Sequence, residues 1–177
     1  MPNADLAGPQ PPVLLALDVD GVLTDGGIFI DHAGNEIKRY HAADGIALRT
    51  WTRLGLQAAV ITGRRGSAIG HRLADLGVPN VIQGSADKGK DLDELIRITG
   101  VPVGRIAYMG DDWPDLPVLG RVGYPMAPAN AAAACKAVAK FTSVRPGGSG
   151  AVREGVEWLL GILGRLDEAV RLYDRQG

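Results

Sequence analysis

Residues 14–27 read LLALDVDGVLTDGG, an apolar run that passes straight into three aspartates, Asp18, Asp20 and Asp25. Apolar residues ended by acids and glycines read as a buried parallel strand with an exposed carboxyl end, where open α/β sheets place their ligands. Residues two apart point the same way along a strand, so Asp18 and Asp20 reach one small volume at that edge. Their repulsion must be offset there by a cation. Carboxylates, a backbone carbonyl and waters suit the octahedral demand of Mg²⁺ better than a histidine or thiol site would.

Outward from this strand the pattern repeats. VLLAL (13–17), LQAAVI (56–61), NVIQ (80–83), RIAYM (105–109) and RVGYPM (121–126) are strand candidates, and helix candidates lie near 45–54, 65–76, 87–99, 114–119 and 130–139. Alternating β and α elements predict an α/β fold with a doubly wound parallel sheet. One segment departs from it. GIFIDHAGNEIKRYH (27–41) alternates apolar and polar residues around a turn-like HAGN, and is expected to be an inserted β-hairpin. Its Ile28, Ile30, Ile37 and Tyr40 offer more apolar surface than a lone ribbon buries, so pairing with another subunit is expected. Residues 150–174 place Val152, Val156, Leu159, Leu163, Leu166 and Val170 at helical spacing, with Gly161 and Gly164 expected to weaken or bend a C-terminal helix.

Composition narrows the function classes. The 177 residues fit one domain over 13–177 behind a flexible Pro-rich lead over 1–12. A formal net charge of -1 leaves no basic footprint for nucleic acid. No segment approaches the roughly 20 apolar residues of a membrane helix, and the N-terminus has no signal-peptide pattern. Cys135 is the single cysteine, which excludes an intramolecular disulfide and fits a reducing cytoplasm. A small-molecule partner and a cytoplasmic location are therefore expected.

Three later pieces complete a site for phosphate chemistry. In ITGRR, Thr62 follows the second strand, and the N–H groups of Gly63 and Arg64, read as entering a helix, supply donors for an anion. Lys88 opens the helix after the third strand, a compact cation for a phosphate. GDDWPD follows the fourth and supplies Asp111, Asp112 and Asp115. Each piece has a plainer alternative: turn chemistry for DVD, a solvated surface for Lys88, helix capping for Asp112 or Asp115. Four of them in this order, each at a strand end, point to one shared site.

This ordered set resembles the haloacid dehalogenase superfamily, whose signature runs DxDG, a strand-terminal Ser/Thr, a Lys, then GDDxxD. The resemblance implies a Mg²⁺-dependent phosphohydrolase in which Asp18 attacks phosphorus and forms an aspartyl-phosphate, while Asp20 acts as general acid and then general base. It implies metal ligands on the Asp18 carboxylate, the Asp20 carbonyl and Asp111, supported by Asp112 and Asp115. Thr62 and Lys88 would hold the transferring phosphoryl oxygens. Phosphomonoesters hydrolyse so slowly unaided that accelerations approach ~10²¹, most of it from positioning and charge stabilisation. No cap domain fits between the motifs, so the chain reads as capless.

A narrower resemblance answers what closes such a site. DVDGVLTDG, the hairpin, Asp44-Gly45, ITGR, QGxxxK at 83–88, AYMGDDWPDLPV and PGGSGAVRE (146–154) are similar to the 3-deoxy-D-manno-octulosonate 8-phosphate (KDO 8-phosphate) phosphatases, over about residues 13–160. That family implies a homotetramer assembled through the hairpins, with neighbouring subunits covering the site. Arg153 is then a candidate for pairing with a sugar-acid carboxylate, in its own or a neighbouring subunit, and Arg64 and Arg72 are further substrate candidates. There is one departure. Where the family has FNxRDG this chain reads YHAADG, Tyr40–Gly45, so Ala43 stands in place of an Arg and His41 becomes a candidate donor to substrate. A related acidic sugar phosphate, such as a nonulosonate 9-phosphate, is the alternative substrate. A phosphoacceptor domain is disfavoured because the paired acids sit on the first strand. A noncatalytic oligomerisation domain would not need Asp18, Asp20 and Lys88 together.

Overall fold

The computed structural model describes residues 10–174. Its centre is strand β1 (Leu14–Leu17), all four residues of which are buried. β1 pairs in parallel with β4 (Gln57–Thr62) on one side and β6 (Ile106–Met109) on the other. Beyond β4 lies β5 (Asn80–Gln83); beyond β6 lie β7 (Tyr124–Ala127) and the two-residue β8 (Phe141–Thr142). The order β5-β4-β1-β6-β7-β8 means that the chain winds one way from β1, then returns to wind the other. The gap between the carboxyl ends of β1 and β6 is thus the topological switch point, where ligands bind in such sheets.

Strand alternation sorts the core into two halves. Leu15 and Leu17 pack with the buried faces of α1 (Ala42–Arg53), α2 (Ser67–Asp75) and α6 (Ala151–Ile162), while Leu14 and Ala16 pack with α3 (Lys88–Thr99), α4 (Leu116–Leu119) and α5 (Ala133–Val138). Both faces of the sheet are covered, which is why its strands read as continuous apolar runs.

Four sequence expectations change. The C-terminal helix is two: α6 ends at Ile162 and α7 spans Leu166–Asp174, with Gly164 between them in the left-handed region at φ 65°. The hairpin shrinks to β2 (Phe29–Ile30) and β3 (Glu36–Ile37), and Tyr40 leaves it to pack against the core. α2 starts at Ser67, so Gly63 and Arg64 lie in a turn before the helix and not at its N-terminus. The lead expected over 1–12 lies outside the described residues up to residue 9; beyond it the chain is held, since Tyr124 Oη donates to the Gln10 carbonyl at 3.0 Å and Arg105 Nε to that of Pro11 at 3.1 Å.

Candidate active site

The carboxyl ends of β1, β4 and β6 open into a cleft of about 320 Å³ lined by Asp18, Asp20, Gly26, Ile28, Thr62, Gly63, Arg64, Lys88, Asp111, Asp112, Pro114 and Asp115. Register places them. Leu17 aligns with Val60 and with Met109, and Asp18 N–H donates to the Met109 carbonyl at 3.0 Å, so the residues that follow each strand converge. Thr62 ends β4, and its hydroxyl accepts the Arg64 N–H at 3.3 Å, which leaves its own proton to donate elsewhere. Lys88 is the first residue of α3, whose N-cap Asp87 accepts from Gly89 and Lys90 and so orients that first turn.

On the cleft floor Lys88 Nζ lies 2.9 Å from Asp18 Oδ1 and 2.6 Å from Asp115 Oδ1. Asp115 also accepts from Tyr108 Oη at 2.5 Å and from the N–H groups of Asp111 and Asp112 at 3.0 and 3.2 Å. Burial raises the Asp18 carboxyl to about 6, with the Asp115 charge adding to the effect against the pull of Lys88. Burial, then Asp18 and Asp115, raise Asp111 to about 7. Lys88 would be lowered by its own burial, but Asp18 and Asp115 carry it above its usual value. Negative charge therefore outweighs positive on this floor.

Oxygens of Asp18, Asp111 and Asp115 lie within 4.8 Å of one another, a spacing that fits a metal ion. Both oxygens of Asp115 are already taken by donors, so Asp115 organises the loop and is not a ligand. Asp18, raised by burial and by Asp115, and Asp111, raised by burial, Asp18 and Asp115, fit a hard divalent cation. Gly21 sits so close that a Cβ there would lie 2.0 Å from Asp111 Oδ2; only glycine lets the Asp20-Gly21 backbone approach this carboxylate.

A family model described as haloacid dehalogenase-like hydrolase matches residues 77–150. The 3-deoxy-D-manno-octulosonate 8-phosphate phosphatase KdsC of Escherichia coli strain K12 is 38% identical over 156 residues, which cover 88% of this chain and 83% of that protein. The chain belongs to the KDO 8-phosphate phosphatase family. A solved phosphatase of this family from Moraxella catarrhalis, in complex with magnesium ion, phosphate ion and KDO, superposes with a TM-score of 0.89 at 34% identity, covering 92% of this chain and 93% of that one. The cobalt-bound family member from Haemophilus influenzae gives 0.85 at 34%, covering 88% and 91%.

Within this family member, nine of the twelve residues singled out from the sequence line the cleft: Asp18, Asp20, Thr62, Gly63, Arg64, Lys88, Asp111, Asp112 and Asp115. Three do not. His41 stands at the N-cap position of α1 without a side-chain capping bond, its Nδ1 buried and 3.8 Å from Asp44 Oδ2. Arg72 pairs with Asp75 at 2.9 Å and lies over the Tyr40 ring. Arg153 pairs with Glu157 at 2.5 Å and lines a separate, mainly apolar cavity of about 290 Å³ between α1, α6 and α7. All three belong to the face of the sheet covered by α1, α2 and α6, and none of them lines the cleft.

Sequence reasoning missed Lys38, which reaches Asp20, and Glu36, which holds Lys38: Lys38 Nζ lies 2.5 Å from Asp20 Oδ1 and 2.9 Å from Glu36 Oε1. It missed Tyr108 beneath Asp115, and Asn130, which donates to the Gly21 carbonyl at 3.1 Å and accepts the Gly147 N–H at 2.7 Å. It also missed the work of Asp44, which is buried and accepts N–H groups of Gly150 and Arg153, closing the start of α6. Only the polar side of the hairpin alternation signalled Lys38; for Asn130 and Asp44, partners more than a hundred residues away leave no local signal.

Proposed function

We propose that this chain is a Mg²⁺-dependent phosphatase that hydrolyses KDO 8-phosphate through a phosphoryl group carried on Asp18. The observation that carries the reading is the Asp18 carboxylate on the cleft floor, 2.9 Å from Lys88 Nζ and beside Asp111, with Asp20 two residues on. A phosphate dianion approaching a carboxylate needs positive charge on its oxygens. Lys88 supplies part of it. Bound Mg²⁺, held by Asp18, Asp111 and the Asp20 carbonyl, would supply the rest as a Lewis acid on the phosphoryl oxygens.

Asp18 attacks phosphorus and the bond to the sugar oxygen breaks, while Asp20 gives that oxygen its proton. Asp20 then takes a proton from water, whose oxygen attacks the aspartyl-phosphate and releases inorganic phosphate and free Asp18. The Thr62 hydroxyl, the Gly63 N–H and Lys88 hold the equatorial oxygens throughout. Asp112 and Asp115 keep the loop and Lys88 in place. Arg64 reaches the substrate from the rim. Arg72, Arg153 and His41 act on substrate only from a neighbouring copy, in a homotetramer joined through the hairpins. The reading is of one unit over 13–177, cytoplasmic, without nucleic acid or membrane as partner; among the described residues no helix is long and apolar enough to cross a membrane.

The test is phosphate release with Mg²⁺ from KDO 8-phosphate, a nonulosonate 9-phosphate, hexose phosphates and an aryl phosphate. Preference for KDO 8-phosphate, abolished in a folded Asp18→Asn variant, is the expected result. Preference for the nonulosonate ester would assign YHAADG to another acidic sugar. Turnover retained in Asp18→Asn would remove Asp18 as nucleophile.

A further inference from the structure

The hairpin sends one residue into the active site. The Lys38 side chain, which follows β3, is 2% exposed although β2 and β3 are exposed around it. Its ammonium lies between Asp20 Oδ1 and Glu36 Oε1, and Arg64 stands 3.7 Å from both Asp20 and Glu36. The four charges alternate and cancel. The second oxygen of Asp20 is different: Oδ2 is buried and has no hydrogen-bond partner.

We propose that Lys38 is a positioning residue that holds Oδ1 of Asp20 so that Oδ2 is presented to the leaving oxygen of the substrate. The inference rests on the phosphatase reading and on Asp20 as its general acid. A carboxyl that rotates freely offers either oxygen in many directions; one pinned through Oδ1 offers the other along one line. A buried acceptor with no partner is unfavourable. It is satisfied once the Arg64 side chain, 3.7 Å from it, moves aside and a leaving oxygen, or later a water, takes its place. Glu36 holds Lys38 from behind, and Arg64 is too far for a hydrogen bond to Oδ2, so neither replaces what Lys38 does. The hairpin thereby becomes part of the active site as well as an exposed apolar surface.

A purely structural tie between hairpin and body would use the same ion pair, so the test must separate the two. Lys38→Met is compared with wild type on KDO 8-phosphate, whose sugar oxygen must be protonated to leave, and on an aryl phosphate, whose phenolate leaves unaided. The readout is kcat/KM, which includes only steps up to leaving-group departure, and the ratio of the two substrates on one preparation cancels any change in folded fraction. The expected result is a loss of about 10- to 100-fold on the sugar phosphate, as when a group orienting a reactive side chain is removed. On the aryl ester the loss should be under about 3-fold, because little general-acid contribution is there to lose. A second variant, Lys38→Cys treated with bromoethylamine, rebuilds an ammonium of lysine length; Cys135 is fully buried and protected. Restoration of the substrate ratio is expected. Equal losses on both substrates, no loss, or a ratio unchanged by aminoethylation would overturn the inference. If wild-type protein releases phosphate from neither ester, the phosphatase reading itself fails and the inference falls with it.

Discussion

Asp18 and Asp111 hold their protons more tightly in the fold than a free carboxyl does, at about 6 and about 7 against 3.8. Between about pH 4 and pH 7 the native state therefore binds more protons at these two groups than the unfolded chain, and stability without metal falls as pH rises through that window. A divalent cation binds only the ionised pair, so protons compete with it below neutrality. Mg²⁺ should accordingly raise Tm more at about pH 8 than at about pH 5.5, by ligand linkage to the native state. Asp111→Asn should remove most of the increment at both values. Scanning calorimetry with and without Mg²⁺ checks this, and equal increments at the two pH values would refute it. The residues behind this prediction were legible because their signals are local: Asp18 and Asp20 follow one apolar run, Asp111 another, and strand register does the rest. Lys38 and Asn130 were not, because their importance lies in touching Asp20 and Gly21 across 18 and 109 residues of chain.

Elements followed from the sequence wherever they are long and buried. The five principal strands fall within a few residues of their expected places, while β8, two residues long, has too little pattern to be seen. The C-terminal region shows what periodicity misses. Its apolar spacing runs unbroken across Gly161 and Gly164, yet the chain is continuous helix through the first and turns at the second. The difference is conformational. Gly161 is an ordinary α6 position, and a Cβ there would meet nothing within 4 Å, whereas Gly164 takes φ 65°, where an L side chain is strained. Gly161→Ala should stabilise the protein by about 0.5–1 kcal/mol through backbone entropy, and Gly164→Ala should destabilise it by a similar amount or more. Urea unfolding midpoints give the sign of each. Stabilisation by both would mean that α6 and α7 merge at little cost.

At the scale of the whole molecule, the open side of the fold is the hairpin. Ile28, Phe29, Ile30 and Ile37 are each more than half exposed, at 51, 53, 66 and 59%, and a two-stranded ribbon cannot bury them against itself. Contiguous apolar surface of this kind marks an interaction site. Ile28 is also a wall of the cleft, so whatever covers the hairpin lies at the mouth of the active site. A capless phosphatase needs such cover to exclude water, and in the assembly proposed above a second copy of the chain would supply it without an inserted domain. Wild-type protein should therefore scatter light at four times the chain mass, and the double variant Phe29→Lys with Ile37→Lys should fall to smaller species. These side chains lie outside the catalytic cleft, so the variant should keep its Mg²⁺-induced rise in Tm while KM for KDO 8-phosphate increases several-fold. Dissociation with unchanged KM would show that neighbouring copies do not help to hold the substrate, and an unchanged mass would place the assembly surface elsewhere.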